Sequence, residues 1–304
     1  MGSKSVLGYF IKQVSWANPI RMGKNFSLII LSLLLALNIL AWLVVFDLSK
    51  IQPLEVVFFN VGQGDSIFIE TPKKQQILID GGPGSVILEK LGKEMPFYDN
   101  TLDLIILTHP EKDHLTGLIS VLKRYKVENI LWTGIIRDTL EFKEWERKIL
   151  EEKANIKIAH PLQKIIASKT VLEILYPFEN LAGREFEDSN ETSIVSRLVF
   201  GENSFLFTGD IRKSEEKALL EQRANLDSDV LKVSHHGSKT SNSKEFVEKV
   251  SPQIAVISVG KDNSYGHPTQ EVLDILKSYG IKVLRTDQKG DIKIISDGKE
   301  IKIK

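Results

Sequence analysis

Between residues 109 and 114 the chain reads His109-Pro110-Glu111-Lys112-Asp113-His114, so four of six consecutive side chains carry groups that can ligate a metal. An apolar run, Leu104 to Leu107, leads into them and predicts a buried strand whose end carries groups that cannot be buried unpaired. In an extended or loop backbone alternate residues point the same way, which would let His109, Glu111 and Asp113 converge while His114 approaches from the next position. Imidazoles and carboxylates fanned off a strand end are suited to holding a divalent cation for hydrolysis.

The other histidines repeat this placement. Of the six in the chain, five (His109, His114, His235, His236 and His267) fall in loops just after apolar stretches. Asp113 and Asp210 occupy equivalent positions. His160, in Ala159-His160-Pro161, is expected to be structural. The chain of 304 residues contains no cysteine, which excludes disulfides, thiolate zinc sites and cysteine nucleophiles. Any metal must be held by His, Asp, Glu or Asn.

The elements that would position these residues follow from the pattern. Residues 27 to 46 are 20 uncharged, mostly aliphatic positions; at ~1.5 Å per residue they span roughly 30 Å, the thickness of a bilayer's hydrocarbon core. A short basic segment, residues 1 to 26, precedes them. It carries Lys4, Lys12, Arg21 and Lys24 and no acid. The expectation is a single-pass anchor in the plasma membrane, the N-terminus inside and the remainder extracytoplasmic, with a cleaved signal peptide or a buried core helix as the alternatives. Four of the 40 basic residues lie in this region and none of the 40 acidic ones, so the rest of the chain is mildly acidic. That argues against strong non-specific coating of duplex DNA.

From residue 52 to 304 one hydrolase domain is expected. An antiparallel start comprises strands Leu54 to Val61, Ile67 to Glu70 and Gln76 to Ile79, with the turns Gly62-Gln63-Gly64-Asp65 and Asp80-Gly81-Gly82. A helix from about Leu115 to Tyr125 should follow the His109 loop. A hairpin joins Ser193 to Phe200 with Ser204 to Phe207 and ends in Thr208-Gly209-Asp210. Strand Asp229 to Val233 leads to Ser234-His235-His236-Gly237-Ser238, and strand Ile254 to Val259 to the loop Tyr265-Gly266-His267-Pro268. Mixed strands with intervening helices predict an α/β (α+β) domain with two sheets packed face to face and flanked by helices.

The pattern His109-x-Glu111-x-Asp113-His114 resembles the H-x-H-x-D-H signature of the metallo-β-lactamase superfamily, with Glu in place of the middle His. Asp80, Thr208-Gly209-Asp210 and His236 are similar to its early aspartate, its bridging aspartate and its last ligand. Val61-Gly62-Gln63-Gly64-Asp65-Ser66, Asn190-x-x-Ser193, His235-His236-Gly237-Ser238-Lys239-Thr240 and Tyr265-Gly266-His267-Pro268 resemble the C-terminal domain of ComEC-type competence proteins. The resemblance covers about residues 52 to 304 and implies an αββα sandwich preceded by the membrane helix.

It also implies two divalent metal ions. One would take Asp113, His114, Asp210 and His236; the other His109, Glu111 and the bridging Asp210, with Asn190 where relatives carry a third histidine. Asp65 is a further candidate for metal or substrate, and Asp80 a structural support. Because Glu111 and Asn190 bring oxygen in place of imidazole, Mn²⁺ or Mg²⁺ suit the second position better than Zn²⁺, and its filling is the open question. Metal coordination lowers the pKa of water towards 7 and so makes a nucleophile for phosphorus. His235 and His267 would then stabilise the phosphate or protonate the leaving oxygen, and Ser238, Lys239 and Thr240 would bind substrate or simply cap the next helix. The activity implied is phosphodiester hydrolysis of DNA, in a DNA-uptake complex. The alternatives are a cell-envelope phosphodiesterase acting on choline-phosphate-like esters, a lactone or β-lactam hydrolase, and a non-catalytic DNA-binding partner of a transport complex.

Overall fold

The computed structural model describes residues 23–49 and 52–304. It divides into two units, residues 1–50 and 51–304. In the first, a helix α1 (Lys24–Ser49) contains the apolar stretch Asn25–Phe46, long and apolar enough to cross a membrane, with its leucines exposed. Most of the basic N-terminal segment expected at residues 1 to 26 lies outside the described residues.

The second unit begins with β1 (Leu54–Phe58), β2 (Ile67–Glu70), β3 (Gln76–Ile79), α2 (Val86–Glu94), β4 (Thr101–Ile106), α3 (Lys112–Leu122), β5 (Lys126–Trp132), α4 (Leu140–Glu152) and β6 (Asn155–Ile158). It continues with β7 (Lys164–Ala167), β8 (Thr170–Tyr176), β9 (Val195–Phe200), β10 (Asn203–Phe207), α5 (Lys213–Glu221), β11 (Val230–Lys232), α6 (Lys244–Val250) and β12 (Ile254–Ile257). α7 (Gln270–Ser278), β13 (Lys282–Arg285), a short α8 (Thr286–Lys289), β14 (Ile292–Ser296) and β15 (Ile301–Ile303) complete it.

These strands form two sheets, ordered β15-β14-β1-β2-β3-β4-β5-β6 and β13-β12-β11-β10-β9-β8-β7. The period-2 alternation of a strand assigns each face. In β1, Leu54, Val56 and Phe58 join the apolar layer between the sheets, while Val57 turns to the layer under α2, α3 and α4. The second sheet repeats the arrangement beneath α5, α6 and α7. The result is the αββα sandwich.

Within it, β3 to β6 run parallel, as do β10 to β13. The loops leaving the C-terminal ends of β3, β4, β10 and β11 carry Asp80, His109, Asp210 and His236, and that is where an α/β protein ordinarily builds a site.

Two local readings of the sequence are corrected. β4 ends at Ile106, and α3 starts at Lys112 rather than Leu115. Asp113 and His114 therefore stand on the first turn of a helix, and Glu111 is its extended N-cap residue. Alternate residues of an extended chain do not converge here, because the chain is no longer extended at Asp113. β7 and α8 are four-residue elements that the sequence reading passed over.

Candidate metal centre

α3 is held against the β3 loop at a distance only glycine allows. The Gly117 N–H donates to the Gly82 carbonyl (2.9 Å) and the Gly81 N–H to that of His114 (2.8 Å). A Cβ on Gly117 would lie 1.8 Å from the Gly81 oxygen. The Gly62-Gln63-Gly64-Asp65 turn presses on the same helix start: a Cβ on Gly64, whose φ is +131°, would sit 2.1 Å from the carbonyl oxygen of Asp113. The Asp65 N–H donates to that carbonyl (3.3 Å). These contacts fix Asp113 and His114 relative to both loops.

Asp80 orients the histidines from behind. Its Oδ1 accepts the Thr108 N–H (2.8 Å). Its Oδ2 accepts the Thr108 hydroxyl (2.6 Å) and lies 2.8 Å from His114 Nδ1. A carboxylate at Nδ1 makes that nitrogen the donor and turns the Nε2 lone pair inward. Thr108 transmits the same logic. Its single hydroxyl proton goes to Asp80, so at 3.0 Å from His109 Nδ1 its oxygen accepts, and His109 also presents Nε2. On the facing sheet His236 Nδ1 donates to the Ser258 carbonyl (2.9 Å). His235 and His236 both adopt left-handed backbone conformations, φ 48° and 52°, which separate their side chains. Such conformations cost non-glycine residues ~1–3 kcal/mol each and persist where the surroundings impose them.

Three imidazole Nε2 atoms thereby converge on carboxylates. Asp210 Oδ2 lies 3.4 Å from His114 Nε2 and 3.3 Å from His236 Nε2, and Asp113 Oδ2 is 3.3 Å from the latter. Ligand atoms of His109, His114 and Asp210 lie within 4.8 Å of one another, as do those of Asp113, His114 and His236, and of Asp65, Asp210 and His236. The Nε2 atoms of His109, His114 and His236 and Oδ1 of Asp65 are buried without a hydrogen-bond partner. Buried polar atoms are rarely left so, and three imidazole Nε2 atoms left open beside the Asp113 and Asp210 carboxylates fit cations that would take them as ligands.

The electrostatics agree. Burial disfavours charge on His236, yet Asp210, Asp113 and Asp65 outweigh it and push the imidazole up to about 10. His114 is likewise raised, against its burial, by Asp210 and Asp80. His109 is held well below the usual histidine range by burial and by the neighbouring His114. A site that draws protons onto its own histidines is one whose carboxylates require positive charge.

Some of that charge is built in. Lys232, at the end of β11, is fully buried; its ammonium pairs with Asp65 Oδ2, donates to the Gly209 carbonyl (2.9 Å) and reaches Asp210 Oδ1 (3.3 Å). The sequence reading passed over this residue. Its signal was a lysine in Val230-Leu231-Lys232-Val233, a run otherwise wholly apolar and bound for the middle of a parallel sheet.

Glu111 stands apart. It belongs to none of the ligand-atom groups found among the described residues. Its Oε1 instead accepts from Arg137 (3.0 Å) and from the Ser189 hydroxyl. Arg137 also donates to the Phe186 and Glu187 carbonyls, tying Glu111 to the loop before β9. Neither Arg137 nor Ser189 was singled out in the sequence. Asn190, on a 3-10 turn spanning Ser189–Thr192, faces the cleft without joining a ligand group.

A cleft of about 200 Å³ opens over the cluster, lined by Gln63, Glu111, Asp113, Asn190, Asp210, His235, His236, Tyr265 and His267. The His235 and His267 rings are 5.8 Å apart at 71°. Burial lowers the pKa of both. Ser238, Lys239 and Thr240 do not line this cleft. The Ser238 hydroxyl lies 2.9 Å from that of Thr240, Lys239 is exposed, and the segment runs towards α6. His160 is exposed, with its ring nitrogen 3.1 Å from the Pro161 carbonyl.

Residues 59–261 match the metallo-beta-lactamase superfamily. The chain is 33% identical over 255 residues to ComE operon protein 3 of Bacillus subtilis (strain 168), covering 78% of this chain and 32% of that protein. It is 34% identical over 237 residues to Competence protein ComA of Neisseria gonorrhoeae, covering 77% and 31% respectively. The chain thus spans about a third of the length of these curated relatives. Among solved structures, the metallo-beta-lactamase fold protein YhfI from Bacillus subtilis aligns with a TM-score of 0.51 at 12% identity, over 76% of this chain and 96% of that one, a likeness of fold. With its two-sheet sandwich and the loops that carry the ligand cluster, the chain belongs to the metallo-β-lactamase superfamily.

Proposed function

We propose that the chain is a membrane-anchored, extracytoplasmic, divalent-metal-dependent phosphodiesterase that cleaves DNA in the setting of DNA uptake. The observation that carries this reading is the set of orphaned Nε2 atoms facing the Asp113 and Asp210 carboxylates beneath an open polar cleft. The likeness to competence proteins supports DNA as the substrate, and the apolar α1 with basic residues before it supports the anchor and its orientation.

Asp113, His114, Asp210 and His236 would hold one ion. His109 and Asp210 would hold a second, with Glu111 and Asn190 at its margin; Mn²⁺, Mg²⁺ and Zn²⁺ are the candidates. Divalent ions in such a site supply Lewis acidity and lower the pKa of water. The residues of the chain do the rest. Asp80 and Thr108 keep His114 and His109 in the tautomer that points Nε2 inward. In hydrolysis water adds to phosphorus, the P–O bond to the leaving group breaks, and the departing oxygen takes up a proton. His235 and His267, facing the cleft outside the ligand cluster, would contact the phosphoryl oxygens and that leaving oxygen.

The test uses the full chain in detergent with single- and double-stranded DNA and Mn²⁺, Mg²⁺ or Zn²⁺. Cleavage that is abolished by chelator and by Asp113→Ala is expected. DNA binding without cleavage under every metal would overturn the catalytic reading, and hydrolysis of small phosphodiesters alone would replace DNA with an envelope ester. A C-terminal reporter active only in the cytoplasm would overturn the orientation.

A further inference from the structure

The cleft is too small for a nucleotide. At about 200 Å³ it falls below the ~300–1,000 Å³ of pockets that enclose whole organic ligands, and acids, amides and imidazoles dominate its lining. A phosphodiester group fits such a space. The nucleosides on either side of it must lie on the rim, and the rim carries one phenol ring, Tyr265.

Tyr265 is 69% exposed, yet its loop is not left loose. The Asn263 side chain donates to the carbonyls of Gly260 (2.9 Å) and His267 (2.8 Å) and accepts the His267 N–H (3.0 Å). Gly260 in turn donates to the Gln63 side chain (3.3 Å). The tyrosine ring lies nearly parallel to that of His267, at 17° and 5.9 Å between centroids. An aromatic ring held in place beside the cleft by its loop and by His267, with most of its surface in water, is a platform with room for a further stacking partner. Core packing does not account for it.

We infer that Tyr265 is a nucleobase subsite: the base next to the scissile phosphate stacks on its ring, and the strand recognised is single-stranded nucleic acid. Every base offers a π-face, so the subsite tolerates any sequence. A base inside a duplex already has both faces covered, so the duplex must first be opened. The inference rests on the phosphodiesterase reading.

The experiment separates the two. Binding of fluorescently labelled oligothymidylate, and of a strand of equal length in which every base is replaced by an abasic residue, is followed by anisotropy with the full chain in detergent; cleavage is measured separately. The base-bearing strand should bind about 5- to 150-fold tighter, the range expected for one stacked base. Tyr265→Ala should remove most of that difference and Tyr265→Trp should keep it. Equal binding of both strands, or a Tyr265→Ala variant indistinguishable from wild type, overturns the platform even if DNA is cleaved. Base-dependent binding without cleavage leaves the platform standing and removes the hydrolase reading instead.

Discussion

The two halves of the candidate metal centre use similar residue types and treat them differently. Around Asp113, the side chains of His114, Asp210 and His236 are braced from behind and left open in front. Asp80 takes His114 Nδ1, Ser258 takes His236 Nδ1, and Lys232 takes Asp210 Oδ1. In the second half Thr108 braces His109 Nδ1 in the same way, but at Glu111 the bracing falls on the wrong side. Arg137 and Ser189 occupy the oxygen of Glu111 that would otherwise be offered. Residue type alone therefore does not make a ligand. What decides is which of its atoms the rest of the fold has already claimed, and by that measure the first half is prepared for a cation and the second only through His109.

Removing the residue that both halves share should have the largest effect. Asp210→Ala takes away the acceptor facing His114, His236 and Lys232 and leaves Lys232 buried with only part of its partnership. Breaking a buried ion pair from one side costs ~3–5 kcal/mol. Metal content by mass spectrometry should fall in both halves, and the denaturant midpoint in chelator should drop accordingly. Retention of one full equivalent of metal would separate Asp210 from the first half.

Lys232→Met asks whether the built-in cation matters chiefly when metal is absent. Without the ammonium, Asp65 and Asp210 face each other in the interior. The variant should lose on the order of 3 kcal/mol in chelator and recover part of it when Mn²⁺ is added, because the ion then supplies the missing charge. Equal destabilisation with and without metal would reduce Lys232 to a packing residue.

Asp80→Asn acts one step back from the ligands. It weakens the carboxylate that sets the His114 tautomer, and losses at such positions are typically ~10–100-fold in metal affinity. Competition against a chromophoric chelator measures this. For the second half, Arg137→Gln should release Glu111. The pair is partly solvated, with 19% and 35% of the two side chains exposed, and such pairs contribute ~0.2–1 kcal/mol. A gain of about 1.4- to 5-fold in affinity for the second equivalent of metal is therefore expected by titration calorimetry. No change there would mean that Arg137 is not what withholds Glu111.

Much of the first half was legible in the sequence, and little of the second. His114, Asp210 and His236 follow apolar strands, as does His109 in the second half, and a polar residue at the end of a buried strand has few places to go but a site. Those signals are local. The partnerships that disarm Glu111 are not, since Arg137 and Ser189 lie 26 and 78 residues away and meet it only when the loops before α3, α4 and β9 pack together. The start of α3 was misplaced for a related reason. Pro110-Glu111-Lys112-Asp113 reads as a loop by composition, yet the helix begins there, with the Gly64 turn packed on Asp113 in its first turn and Gly81 on Gly117 one turn later. Lys232 was visible as an anomaly, a charge where the strand's period leaves no solvent.

The smallest effect concerns how the His235-His236 turn is held. The Glu216 carboxylate, on α5, accepts the backbone N–H groups of Asn242 and Ser243. The Asn242 side chain in turn accepts the Ser234 N–H and donates to the Ser234 carbonyl, both at 3.0 Å. Glu216 thus reaches the first half of the centre through three residues and touches none of its ligands. Burial raises its pKa above the ordinary value, and the hydrogen bonds from Ser243 and Asn242 only partly offset this. A carboxyl whose folded pKa lies above its unfolded one binds its proton more tightly in the native state. Its contribution to stability is complete below the unfolded value and is lost as the pH rises through the folded one. Between about pH 4 and pH 7 the wild type should therefore lose stability relative to Glu216→Gln, which cannot titrate. Urea midpoints of the two proteins across that range, in chelator so that metal binding adds no pH dependence of its own, give the slope. A flat difference would show that the hydrogen bonds and burial cancel at Glu216, and one that grows in the wild type's favour as pH rises would show that the hydrogen bonds outweigh burial. The turn carrying His236 would then be braced by a full charge, as the ligands in front of it are.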